Sequence, residues 1–129
     1  MTPEELRERL TAWAVHVVTR CRELRERPEA RHLADQLLAS ATSAAANYRA
    51  ASRARSRREF VSKLAVAVEE ADESVGWIQI LRRTGLVGEP VAGRLLNEAE
   101  QLLAILAASR RTAERNDRRA LAGRQSRSP

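Results

Sequence analysis

The chain of 129 residues is poor in the residue types on which many binding and catalytic sites depend. It contains one cysteine, two histidines and only 3% aromatic residues. The single cysteine, Cys21, excludes an intramolecular disulfide. The shortage of aromatic side chains argues against nucleic-acid modules that stack several bases on rings. With only five glycines and four prolines, the composition favours long helices over a turn-rich β fold.

Signals for catalysis, metal binding and membrane insertion are also missing. The sequence has no glycine-rich phosphate loop and no Ser/His/Asp arrangement, and His16, His32 and Cys21 lack the spacing of metal ligands. No apolar run approaches the roughly 20 residues of a membrane span, and residues 1–5 do not begin a signal peptide. We therefore predict a cytoplasmic, non-enzymatic protein with no cofactor, no metal and no membrane partner.

Apolar residues at steps of three and four predict four amphipathic helices. The first stripe is Leu6, Leu10, Trp13, Val17, Cys21 and Leu24. Thr2 with Glu5, and Ser56 with Glu59, have the spacing of capping boxes at the starts of the first and third helices. Gly85 is a typical residue to follow the end of the third helix. The predicted helices span about 3–27, 30–52, 57–84 and 90–115, followed by a flexible basic tail at 116–129.

Four helices with short connections predict an all-α, up-down-up-down four-helix bundle formed by residues 1–115. The small residues of "ASATSAAAN" in the second helix predict close approach of a neighbouring helix at Ala41, Ala44 and Ala45.

The third and fourth helices have more apolar residues than one buried stripe requires. A second apolar face must be buried as well, either in a thick monomer core or between subunits. We favour a homo-oligomer, and the candidate interface residues are Val66, Trp77, Ile80 and Leu103.

Arginines are concentrated in two segments that the bundle topology brings to one pole. The chain carries a net charge of +6, and residues 49–58 and 110–129 contribute +5 each, which leaves −4 for the remainder. The candidate nucleic-acid-binding residues are Arg49, Arg53, Arg55, Arg57, Arg58, Arg110, Arg111 and Arg115.

The helix dipole distinguishes among these arginines. It favours Arg49 and Arg53 at the end of the second helix, but it disfavours Arg57 and Arg58 in the first turn of the third. Nothing local in the sequence explains the latter pair. Contacts with an anion or nucleic acid, ion pairs across a subunit boundary and neutral drift all remain open.

An acidic run, "VEEADES", lies midway along the third helix and contains Glu69, Glu70, Asp72 and Glu73. Without a nearby histidine it is a poor di-metal site. We predict that these carboxylates pair with arginines of a neighbouring helix or subunit.

The stretch from Ser43 to Leu81 combines a Ser–x3–Asn motif, a basic link, a Glu-Phe pair, and a small-residue stretch leading to an acidic residue and serine. The residues of this pattern are Ser43, Asn47, Ser56, Glu59, Phe60, Ala67, Glu73 and Ser74. The pattern resembles that of a bacterial four-helix-bundle family named for proteins encoded in intervening sequences of 23S rRNA genes. More distantly, that family includes the accessory variability protein of diversity-generating retroelements.

The chain departs from the family pattern at residues 50 and 51, where Ala-Ala replaces the usual Glu-Gly, so no role of that glutamate carries over. The resemblance implies a homopentameric ring of bundles with a basic surface and nucleic acid as a partner. Two functions therefore remain open. One is non-specific binding of RNA or DNA, and the other is a scaffold or protein-partner-binding module whose charges serve assembly.

Overall fold

The computed structural model describes residues 1–126 and contains four α-helices and, over those residues, no β-strand. The helices are α1 (Pro3–Leu24), α2 (Pro28–Ser52), α3 (Arg57–Arg83) and α4 (Val91–Ser126). The all-α prediction is confirmed.

The side-chain caps of α1 and α3 follow the sequence signals closely, with one difference. Thr2 and Glu5 form the predicted reciprocal capping box. Ser56 also caps α3, since its Oγ accepts a hydrogen bond of 3.0 Å from the Glu59 N–H. The Glu59 carboxylate, however, accepts from the N–H of Arg55, at 3.4 Å, rather than from that of Ser56. Only half of the predicted second capping box is therefore present.

Pro28 separates α1 from α2 in a different way from the prediction. It is the first residue of α2, a position where its missing N–H costs nothing because the first turn has no intrahelical acceptor. The residue before a proline is disfavoured in the helical region, and Arg27 is extended, so α1 does not reach residue 27. Its last helical residue is Leu24. At the other end of the bundle, α3 ends near the predicted position, and Gly85 has the left-handed φ of 74° expected after a helix.

The fourth helix extends far beyond its predicted end at residue 115. It continues to Ser126, so residues 116–126 of the predicted flexible tail are helical, and residues 127–129 lie outside the described residues. No proline or glycine interrupts the chain between Gly93 and Gly123, and alanine and arginine are good helix formers. The apolar periodicity is lost after residue 115 because α4 packs less on the other helices there, although the helix itself continues.

The helices pack in chain order around one core. α2 packs most extensively on α3, followed by α3 on α4 and α1 on α2, whereas α1 and α4 share the smallest interface. Within residues 1–126, no diagonal pair of helices makes a close backbone approach. This is the packing order of an up-down-up-down bundle. Every residue of the predicted first stripe is buried, as are Leu64 and Ile78 of α3 and Leu102 and Leu106 of α4.

The small-residue face of α2 is fully buried at Ala41 and Ala44. Replacing Ala44 by leucine should therefore overpack the interface and reduce the free energy of unfolding by about 1–3 kcal/mol. Ala46 is exposed two residues further on, so Ala46→Leu is the matched control and should leave the melting temperature nearly unchanged. Equal melting temperatures for the two variants would contradict the assigned register of α2.

Candidate functional site

The basic pole consists of the α2–α3 link with its flanking residues 49–58 and the end of α4 from residue 110. Ser52 ends α2 and Arg57 begins α3, so the link between them is short. α4 reaches the link, because Arg57 Nη1 donates a hydrogen bond of 3.3 Å to the main-chain oxygen of Asn116. The structure thus brings the two basic segments together as the topology argument predicted.

Most of the candidate arginines project into solvent. Arg49, Arg53, Arg55, Arg57, Arg58, Arg111 and Arg115 are exposed, and none forms an ion pair within residues 1–126. Arg110 differs, since it is half-buried and its Nε lies 3.0 Å from the Glu114 carboxylate one turn away. Its charge is therefore largely neutralised locally, and it is the weakest candidate for an external contact.

The sequence offers no local explanation for Arg57, but the structure shows one. The helix dipole disfavours a cation in the first turn of α3, yet the bond to Asn116 gives this side chain a structural role between α3 and α4. Arg58 has no such bond within the described residues and stays unexplained by local structure. A cavity of about 450 Å³ lies between these arginines and Asp117, with Leu121 of α4 in its wall.

The acidic run of α3 makes no ion pair with any arginine of the described chain. The prediction of partners on a neighbouring helix is therefore wrong, and partners on another subunit remain a prediction. Glu69, Asp72 and Glu73 are exposed, while Glu70 is half-buried. Burial, followed by the nearby charges of Glu73 and Glu69, raises the pKa of the Glu70 carboxyl.

Several residues of the family motif have structural roles. Asn47 Nδ2 donates to the main-chain oxygen of Ser43 at 2.9 Å and approaches its Oγ at 3.1 Å, which ties one turn of α2. Ala67 is fully buried, and Phe60 packs against the core from a half-buried position. None of these contacts requires a ligand.

Ser74 takes part in a buried contact that the sequence analysis missed. Its Oγ lies 2.7 Å from Ser40 Oγ across the α2–α3 interface, and both side chains are at most 2% exposed. Each Oγ also lies within hydrogen-bond distance of a main-chain oxygen of its own helix, Ser40 of Leu37 at 3.2 Å and Ser74 of Glu70 at 3.0 Å. Because a hydroxyl has one proton, one serine donates across the interface while the other donates to its own helix. Ser40 precedes buried Ala44 by one turn, so its spacing could have placed it on the core face.

The candidate interface residues differ in exposure. Ile80 is 43% exposed, whereas Val66 is half-buried and lies outside the core cluster. Leu103 and Trp77 pack partly against the core, and Trp77 also meets His32 edge-to-face at 6.2 Å between ring centres. Within this set, Ile80 is therefore the apolar side chain that the bundle covers least.

A metal site and a membrane-spanning helix are both absent from the described residues. No group of three or more His, Cys, Asp or Glu side chains in residues 1–126 could hold a metal ion. Over the same residues, none of the helices is sufficiently long and apolar to cross a membrane.

Comparison with known proteins places this arrangement in a family. A solved crystal structure of a protein of unknown function from the S23 ribosomal protein family of Bacteroides thetaiotaomicron is 27% identical and superposes with a TM-score of 0.80. The match covers 86% of this chain and 99% of that one. No curated protein matched the sequence. The family model described as 23S rRNA-intervening sequence protein matches residues 7–108, and the chain belongs to this family.

Proposed function

We propose that the protein is a non-catalytic homo-oligomer that binds RNA or DNA non-specifically through its basic pole. The observation that carries this proposal is the set of seven exposed arginines at one end of the bundle without ion pairs inside residues 1–126. A guanidinium fits a phosphate through two parallel hydrogen bonds.

The geometry favours backbone contacts over base recognition. The α2–α3 link contributes arginines but no aromatic side chain on which a base could stack. Contacts with phosphates position a protein on nucleic acid without reading its sequence. Binding should therefore depend strongly on salt and weakly on sequence.

The direct test is to measure the affinity of the intact protein for a labelled duplex and a labelled single strand between 50 and 200 mM salt. If Arg53, Arg55 and Arg58 each neutralise a phosphate, log K should fall against log salt with a slope of about −2.7 for duplex and −2.1 for single strands. Binding that is absent, or indifferent to salt, would refute the proposal.

Self-association is the second part of the proposal, and a pentamer is favoured because the chain belongs to this family. Light scattering should then give about five times the chain mass of 14.4 kDa. Ile80→Asp should lower that mass, since a carboxylate buried at a subunit boundary without a partner costs several kcal/mol. Gln79→Asp is the matched control, because Gln79 is an exposed neighbour on a different face. A 14.4 kDa species for the parent protein would contradict this part.

The alternative function, a scaffold whose charges serve assembly, has its own supporting observation. The carboxylates of Glu69, Asp72 and Glu73 are exposed and lack ion pairs in the described chain, so they are available to arginines of another subunit. In that case high salt should dissociate the oligomer, and any nucleic-acid affinity would fall only together with assembly.

A further inference from the structure

An open groove lies between α4 and the start of α3, and its position follows from the unequal lengths of the helices. α1 has 22 residues and α4 has 36, or about 33 and 54 Å. Arg9 of α1 binds Glu98 at 2.6–2.8 Å and Gln101 at 2.7 Å, which fixes the level at which α1 lies on α4. α1 begins only six residues before Arg9, so α4 continues beyond its end.

The groove is the continuation of the α4 face on which α1 packs. Glu98, Gln101, Ile105, Ala108 and Thr112 follow one another at steps of three and four and therefore share that face. α1 contacts the first two, whereas the last three line an open cavity of about 620 Å³. Phe60 and Ala113 add apolar surface to the same cavity. The cavity thus continues the surface on which α1 packs, and another helix could occupy it beyond the beginning of α1.

The edges of the groove are positively charged. Arg57 lines it on the α3 side. On α4, Arg111 and Arg115 follow the lining residues Ala108 and Thr112 by three positions, so they lie along the edge of the groove. Both are exposed and form no ion pair within residues 1–126. Of the two carboxylates in this part of α4, Glu114 is already paired with Arg110.

We propose that this groove docks an amphipathic helix of a partner protein, with an apolar stripe on the groove floor and acidic residues beside it. Anchors at i, i+3, i+4 and i+7 would contact Phe60, Ile105 and Ala108, as in other helix-in-groove complexes. Acidic flanks would meet Arg57, Arg111 and Arg115, whereas a basic helix would be repelled. The edge of the groove shares Arg57, Arg111 and Arg115 with the basic pole. The proposal goes beyond the nucleic-acid contacts because the floor of the groove is apolar and lies outside the α2–α3 link.

A labelled model peptide tests the proposal by fluorescence anisotropy with the intact protein. The peptide is a helical 18-mer with leucines at i, i+3, i+4 and i+7 and glutamates at the flanking positions, and its twin has lysines in place of the glutamates. We expect the acidic peptide to bind at least about tenfold more tightly than its twin. Ala108 is exposed, so Ala108→Glu should preserve the fold, obstruct the groove and weaken peptide binding at least about tenfold. Ala46→Glu, the same change at an exposed position of α2, should leave binding unaltered.

Four results would overturn the proposal. The first is equal binding of the two peptides, and the second is acidic-peptide binding that Ala108→Glu does not weaken. The third is loss of single-strand binding in Ala108→Glu, which would assign the groove to nucleic acid. The fourth is a lower mass of Ala108→Glu in light scattering, which would assign the groove to a second copy of the chain. If nucleic-acid binding is absent or indifferent to salt but the acidic peptide binds as expected, the nucleic-acid proposal is refuted and the helix-docking proposal stands.

Discussion

Replacing Leu106 by alanine should reduce the free energy of unfolding by about 2–5 kcal/mol. Leu106 is fully buried in the bundle core, on the part of α4 that lies near the beginning of α1. The loss combines the transfer free energy of the removed carbon atoms with the cavity that remains, because neighbouring helices relax only in part. For a domain of ordinary stability, about 5–15 kcal/mol, this is a large fraction of the total.

Leu121→Ala on the same helix is the matched control. Leu121 is 49% exposed, so its removal should change the free energy of unfolding by no more than about 0.5 kcal/mol. Urea denaturation at one fixed protein concentration measures both variants, since association would otherwise shift the midpoint. Similar losses for the two leucines would mean that the end of α4 is buried, for instance against another subunit.

The helices and their core faces were predictable from the sequence, because the residues with helical spacing are also the residues that pack in the core. The step from Leu6 to Leu10 to Trp13 satisfies helical spacing, and all three side chains are buried. Thr2 caps α1 through an interaction with a residue only three positions away. Gly85 likewise ends α3 through its own backbone conformation. Such features require no knowledge of distant residues.

The true end of α4 was not predictable from periodicity, because a helix that packs on little has no apolar stripe. Between residues 117 and 126, half of the residues are arginine or alanine, which suit a solvated helix as well as a tail. The extension nevertheless matters for the candidate site. It places Asn116, whose main-chain oxygen accepts the bond from Arg57, and Asp117 and Leu121, which line the cavity beside Arg58, on α4 instead of on a flexible segment.

The candidate site was predictable in its location but not in its contacts. Topology alone brings the two basic segments to one pole. The hydrogen bond between Arg57 and Asn116 joins residues far apart in sequence, and no local pattern marks a main-chain acceptor. The groove at Phe60 and Ile105 depends on how far α1 extends along α4, which follows from packing of side chains such as Arg9. How far one helix extends past another depends on tertiary packing, so the groove could not be predicted from local sequence patterns.

Replacing Arg53, Arg55 and Arg58 together by alanine should remove most of the salt dependence of nucleic-acid binding. Each lost phosphate contact reduces the slope of log K against log salt by about 0.9 for duplex, so the variant should be less steep by about 2.7. Over a fourfold rise in salt, the parent should then lose roughly fortyfold more affinity than the variant. Arg57 is kept, because its bond to Asn116 would confound the result.

Stability should change little in this triple variant, which allows a binding defect to be distinguished from a folding defect. Arg53 caps the end of α2, where the helix dipole favours a cation, whereas Arg58 lies in the first turn of α3, where it disfavours one. The two changes oppose each other, at about 0.3–1 kcal/mol each.

A second triple variant controls for net charge. Arg22, Arg83 and Arg94 are exposed, lie away from the basic pole and form no ion pair in residues 1–126, so their replacement by alanine removes the same three charges. This control should retain nearly the full slope, because distant charges contribute little beyond a Debye length of about 10 Å at 0.1 M salt. Equal slopes for the two triple variants would mean that overall charge, not the basic pole, governs binding. Dissociation of the Arg53, Arg55 and Arg58 variant, with an unchanged slope in the fraction still assembled, would assign these arginines to subunit assembly.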